Sequence, residues 1–113
     1  MTELSFTTTT NQTSYFKIEA KSGHQVVGRI YLYLIHNDLH SQPYGLIEDL
    51  FVLSQFRHQG IGSHLLQLAI EKAKQLGCYK LIGTSRFRRP KIHRLYQTKF
   101  HFKKHGYEFR LDL

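Results

Sequence analysis

The sequence predicts a single mixed α/β domain, and three observations carry that prediction. β-Branched and aromatic residues crowd two stretches before residue 36, and a further apolar run surrounds residues 46–53. Past Gly62 the apolar spacing changes from the two-residue alternation of strands to the three- and four-residue steps of a helix. The 113 residues fit one domain, because domain lengths cluster near about 100 to 150 residues. Eight Phe and seven Tyr, with many Leu and Ile, supply core material that a disordered chain lacks.

Residues 1–14, rich in Thr with Asn11 and Gln12, show no helical period; they read as a frayed lead-in or a short edge strand turning at Asn11. Tyr15 to Ala20 and Gln25 to Ile35 read as strands, with Lys21-Ser22-Gly23 turning between them, so an antiparallel hairpin is expected. After the polar loop Asn37 to Pro43, Leu46 to Leu53 reads as a central strand. Ile61, Leu65, Leu66, Leu68, Ala69, Ala73 and Leu76 then recur at helical spacing, and Gly77 follows as a terminator, giving a helix of about four turns. Tyr79 to Gly83 reads as a buried strand. Pro90, at the end of the basic stretch Arg86 to Lys91, opens a shorter helix carrying Ile92, Leu95 and Tyr96. Phe100 to Lys104 and Tyr107 to Leu113 alternate around His105-Gly106, as a terminal hairpin would.

Composition excludes several function classes. No apolar run approaches the about 20 residues needed to cross a bilayer, and Met1 to Thr10 lacks the pattern of a signal peptide. A soluble, cytoplasmic protein without membrane partners is therefore expected. One cysteine, Cys78, forms no internal disulfide and reads as a small buried apolar residue. Sixteen Lys and Arg against eight Asp and Glu give a net charge of +8, a surface that attracts phosphates, nucleotides or nucleic acid. His93, His101 and His105 match no zinc spacing and have no cysteine partner, so no metal site is expected.

The chemically informative segment is Arg57-His58-Gln59-Gly60-Ile61-Gly62, between the expected central strand and the long helix. Glycines let the chain turn sharply and approach a ligand, and a helix start presents unpaired N–H groups at the positive end of its dipole. Such a loop suits a pyrophosphate, and Arg57 adds a planar cation matched to phosphate oxygens. A plain strand-to-helix turn is the alternative. Two other phosphate motifs do not apply: position 65 is Leu65 where a dinucleotide fingerprint needs a third glycine, and no Gly-Lys-Ser or Gly-Lys-Thr occurs.

Glu48-Asp49-Leu50-Phe51-Val52 followed by Arg57 to Gly62 resembles the central motif of the GNAT superfamily of N-acetyltransferases. The order of elements after it matches too, so the resemblance covers about residues 25 to 113; Ile47 to Gly62 is similar to the same stretch of spermidine/spermine acetyltransferases. The resemblance implies a mostly antiparallel central sheet flanked by helices, with a splayed central strand pair. It also implies acetyl-CoA as co-substrate and an amine acceptor. The pantetheine arm would lie along Leu50, Phe51 and Val52, one of whose N–H groups polarises the thioester carbonyl. The pyrophosphate would rest on Arg57, His58, Gln59, Gly60, Ile61, Gly62 and Ser63.

With that frame, Glu48 is the candidate base. Strand alternation sets it on the side of Leu46, Leu50 and Val52, and burial there would raise its pKa toward a range useful for taking a proton from an ammonium. A structural carboxylate paired with a Lys or Arg is the alternative. Tyr96 is the candidate acid, since a phenol of pKa about 10 can protonate a departing thiolate whose conjugate acid is near about 8.5; a core aromatic is the alternative.

Three departures from the family pattern stand out. The segment after Tyr96 is one residue longer than usual and lacks the glycine of the usual Leu-Gly-Phe, an expected asparagine is replaced by Arg88, Arg89 and Lys91, and no helical pattern precedes His24. The basic residues suit adenosine phosphates or a solvated loop. The missing N-terminal wall is compatible with an open acceptor site or a homodimer. A basic nucleic-acid-binding module using Arg86, Arg88, Arg89, Lys91, Lys99, Lys103 and Lys104, and a CoA-binding regulatory domain without turnover, are the competing functions.

Overall fold

A computed structural model describes residues 3–86 and 89–113. Arg88, one of the expected basic residues, lies outside the described residues. Four strands form one sheet in the order β1 (Tyr15–Ser22), β2 (Gln25–Ile35), β3 (Tyr44–Val52) and β4 (Leu81–Gly83). The first three run antiparallel, whereas β4 joins β3 in parallel. That parallel step needs a crossover, and α1 (Ile61–Gln75) supplies it. A short helix, α2 (Pro90–Arg94), follows β4 and runs straight into a π-helical turn at Leu95–Lys99.

The predicted first hairpin forms, with its turn displaced. β1 continues through Ser22, which pairs with Gln25, so the reversal falls on Gly23 and His24. Residues 3–14 form no strand; Ser14 and Thr13 are tied to β2 through Leu34, whose N–H donates to Ser14 O at 3.1 Å and whose carbonyl accepts from Thr13 Oγ1 at 2.8 Å.

Both helices lie on the same face of the sheet. Val27, Ile30, Leu32 and Ile47 point from the strands into a buried core that meets Leu65, Leu66, Ala69 and Ala73 of α1. Tyr96 joins this core, with Ile92, Leu95, Phe100 and Phe102 packed beside it. Fully burying each large aliphatic side chain stabilises by roughly 1.5 to 3 kcal/mol, and this face is where that burial is concentrated. The opposite face carries a row of tyrosines: the Tyr15 and Tyr33 rings stack at 5.3 Å, and Tyr31 and Tyr33 at 6.2 Å. Among the described residues no helix covers it, in keeping with the absence of helical pattern before His24. No helix of the described residues is long and apolar enough to cross a membrane.

Three expectations are corrected. Tyr79 to Gly83 is not a buried strand: only Leu81–Gly83 pairs, and it is partly exposed, because an edge strand with helices on one face leaves Ile82 outward. Cys78 is half-buried, and that burial pushes its thiol pKa up, away from reactivity. The terminal hairpin does not form. The chain turns at His101, whose φ is 59°, and Phe102 N–H donates to Tyr96 O at 2.7 Å. Beyond it Tyr107, Phe109 and Leu111 are exposed and unpaired by any strand of the described residues. Alternation marks a strand only where a partner edge exists. A lone hairpin is marginal in water, and β4, three residues long, is too short an edge to template one.

Candidate active site

The loop after β3 is built to reverse the chain and leave a bare helix start. Ser54–Phe56 forms one 3-10 turn, Arg57 is extended, and His58 and Gly60 both take left-handed backbone at φ 63° and 82°. Nothing lies within 4 Å of where a Cβ at Gly60 would stand, so the positive φ, not crowding, favours glycine there. His64 N–H donates to Gly60 O at 3.0 Å as the first bond of α1. The N–H groups of Ile61, Gly62 and Ser63 precede that bond. No side chain caps them and no acidic residue sits in the first turn, so the donors and the dipole face an anion-ready space. Arg57 is strapped along the end of β3: its Nε donates to Val52 O at 2.8 Å, and its guanidinium lies 5.4 Å from the Phe51 ring.

The sheet opens beside this loop. β4 pairs with β3 only across Gly45, Leu46 and Ile47, while β3 runs on to Val52. The two strands part there, as the resemblance implied, and α2 stands across the gap. The result is a cleft of about 540 Å³, within the range of small-molecule sites. Leu50, Phe51 and Val52 line one part and Arg57, His58, Gly60, Ile61, Gly62 and Ser63 another. Of the residues predicted to hold a cofactor, Gln59 alone does not reach the cleft wall.

Glu48 requires a correction. Its expected place on the side of Leu50 and Val52 assumed an unbroken strand. Asp49 instead has φ 55°, and the β2–β3 register slips there, with Arg29 opposite Phe51 but Tyr31 opposite Glu48. This bulge inserts one residue, so Ile47, Leu50 and Val52 all serve the helix-side core while Glu48 alternates away from Ile47 with Leu46. The partial burial argued for Glu48 holds, with a different cause of placement. Burial pushes its carboxyl pKa above the ordinary value, the charges of Asp49 and Glu108 push the same way, and the Thr84 hydroxyl opposes them.

Tyr96 is buried, with 8% of its surface exposed, in the first π-helical turn after α2. Its ring and hydroxyl lie 3.0 to 3.1 Å from where a Cβ at Gly83 would stand, so that position admits no larger residue without moving the tyrosine. Phe102 packs on the ring at 5.0 Å. Burial raises the Tyr96 pKa and the nearby Glu48 charge raises it further, which keeps the phenol protonated. Glu48 therefore stands close enough for its charge to act on Tyr96, and neither residue lines the cleft itself.

The π-turn accounts for the residue that lengthens this segment, since such a turn holds one more residue than an α-turn. His101 takes the left-handed backbone that a glycine would adopt more cheaply. Sequence reasoning missed the bulge at Asp49; its signal was an Asp inside an apolar strand, a residue poor in strands and tolerant of positive φ. It also left Phe56, Ile92 and Leu95 out of the cleft that they line. The i, i+3 spacing of the last two on a helix opened by Pro90 was the available signal.

Comparisons with known proteins fit this geometry. The model of the acetyltransferase (GNAT) family matches residues 2–102. An aminoalkylphosphonate N-acetyltransferase of Salmonella typhimurium is 33% identical over 96 residues, which are 80% of this chain and 62% of that protein. The chain thus spans less than two thirds of that relative's length. A crystal structure of a Trypanosoma brucei acetyltransferase superposes with a TM-score of 0.76 at 26% identity, covering 88% of this chain and 69% of that one. A transcriptional regulator from Bacillus halodurans gives 0.80 at 29% identity, covering 88% and 66%. With the splayed strand pair, the glycine loop and the family match in hand, the chain belongs to the GNAT family of acetyltransferases.

Proposed function

We propose that the chain transfers an acetyl group from acetyl-CoA to a primary amine, by direct attack within a ternary complex. The observation that carries this reading is the convergence, in one cleft, of the unpaired half of β3 and the uncapped start of α1. Acetyl-CoA supplies the activated acetyl group. The N–H groups of Ile61, Gly62 and Ser63 hold its diphosphate, with Arg57 beside them. The free edge of Leu50 to Val52 aligns the pantetheine as an added strand would. A backbone N–H there polarises the thioester carbonyl, an interaction that strengthens as charge develops on the oxygen. Most of the acceleration comes from holding both reactants in line.

Glu48 accepts the proton of the attacking ammonium, directly or through water, and its raised pKa suits that task. Tyr96, kept protonated by its surroundings, donates to the departing thiolate. The acceptor is a small amine that also bears an anionic group. Support comes from the net charge of +8 and from the Salmonella relative, whose name specifies aminoalkylphosphonates. The test is release of free thiol from acetyl-CoA with a panel of amines that includes aminoalkylphosphonates, neutral amines and polyamines. Turnover with the phosphonates and little with polyamines is expected; no turnover with any amine, by protein that binds CoA, would leave a binding domain only.

A further inference from the structure

We infer that Arg89 and Lys91 form a second cationic wall of the cleft and read the 3′-phosphate of coenzyme A, separately from the diphosphate grip of the α1 loop. The inference rests on the reading of this cleft as the coenzyme site.

The cleft has two charged walls and an apolar lining between them. Arg57 and His58 stand on the loop side, Arg89 and Lys91 on the α2 side, and among the described residues no carboxylate lines it. The α2 wall is fixed from behind, because Ile92 and Leu95 pack against the core cluster while Arg89 and Lys91 stay exposed at the rim. Among the described residues the ion pairs are Lys17 with Glu19 and Arg110 with Asp112, so neither rim cation is neutralised by a neighbour there.

Charge supply and demand then divide the ligand between the walls. The diphosphate is met by three uncapped N–H groups and by Arg57, which is already anchored to Val52 O. A phosphate monoester, with a second pKa near about 6, carries close to two negative charges at neutral pH and has three acceptor oxygens. It is the densest charge on coenzyme A, and the planar fork of Arg89 and the ammonium of Lys91, both lining this cleft, are chemically matched to it.

The test is calorimetric titration of the full chain with coenzyme A and with 3′-dephospho-CoA. Charge-assisted hydrogen bonds to a phosphate predict that the wild type binds coenzyme A at least about tenfold more tightly than the dephospho form. In R89Q/K91Q that ratio falls to about one while dephospho-CoA affinity is held within about twofold, and R89E/K91E prefers the dephospho form. R57Q weakens both ligands together. A wild-type ratio near one, or equal weakening of both ligands in R89Q/K91Q, overturns the assignment while leaving the cleft a coenzyme site. Binding of neither ligand by wild-type protein overturns the site reading as well.

Discussion

The two walls of the cleft are built by opposite means. The wall of β3, the glycine loop and α1 rests on two long elements, a nine-residue strand with one bulge and a fifteen-residue helix with four buried side chains, joined by a tight reversal. The wall after β4 rests on short ones, a five-residue helix and a π-turn. The first presents backbone N–H groups, which any sequence with the right turn can offer. The second presents the side chains of Arg89 and Lys91, and the segment that carries it seats Tyr96 in the core, which needs tertiary packing. A wall that binds through backbone tolerates side-chain change, whereas a segment that must seat a buried phenol does not.

The sharpest break in that comparison is Glu48→Gln. As base it should cost about 10² to 10⁴ in kcat and remove the acidic limb of the pH–rate profile, read by steady-state kinetics across pH. The same variant should not lose stability. Because the folded state raises the Glu48 pKa, the native protein holds that proton more tightly than the unfolded chain, and stability falls as pH climbs from the ordinary carboxylate value through the raised one. Glutamine lacks that penalty, so its melting temperature above this window should equal or exceed that of the wild type. A Glu48→Gln protein that is less stable and fully active would make the carboxylate structural.

Tyr96→Phe should lower kcat by about tenfold to a hundredfold with KM for acetyl-CoA little changed, since the ring stays in the core and only the donor is lost. Gly83→Ala should reproduce part of that loss through displacement: the added methyl meets the Tyr96 ring at 3.0 Å, and rate should fall while coenzyme affinity, measured by titration, is retained.

Gly60→Ala probes the other wall. Its φ of 82° makes a side chain cost about 1 kcal/mol or more, so denaturant midpoint and coenzyme affinity should both drop, with the rate at saturation less affected. The smallest effect expected is His101→Gly, which relieves a left-handed non-glycine residue. Net stabilisation of about 0.5 kcal/mol should raise the melting temperature by roughly 2 to 4 °C.

The same contrast explains what was legible in the sequence. The α1 period, Gly77, the loop motif and the first three strands are local signals, and each appears close to where the residues placed it, with the first turn displaced and the ends of β1 and β3 shifted. Asp49 broke the alternation on which the facing of Glu48 was argued, because a bulge is decided by pairing with β2 and not by the strand's own pattern. The terminal alternation of Tyr107, Phe109 and Leu111 promised a hairpin that no neighbouring edge of the described residues receives. Tyr96 was legible as an aromatic on a short helix, but its burial depends on Gly83 lacking a side chain, a contact across sequence that spacing does not encode.

Amide chemical-shift mapping on the full chain with coenzyme A tests the central claim most directly. The largest changes should fall on the N–H groups of Ile61, Gly62 and Ser63 and of Leu50 to Val52, with the exposed tail beyond Phe102 unmoved. Tight binding that shifts only the basic tail, or leaves the head of α1 unperturbed, would contradict the account.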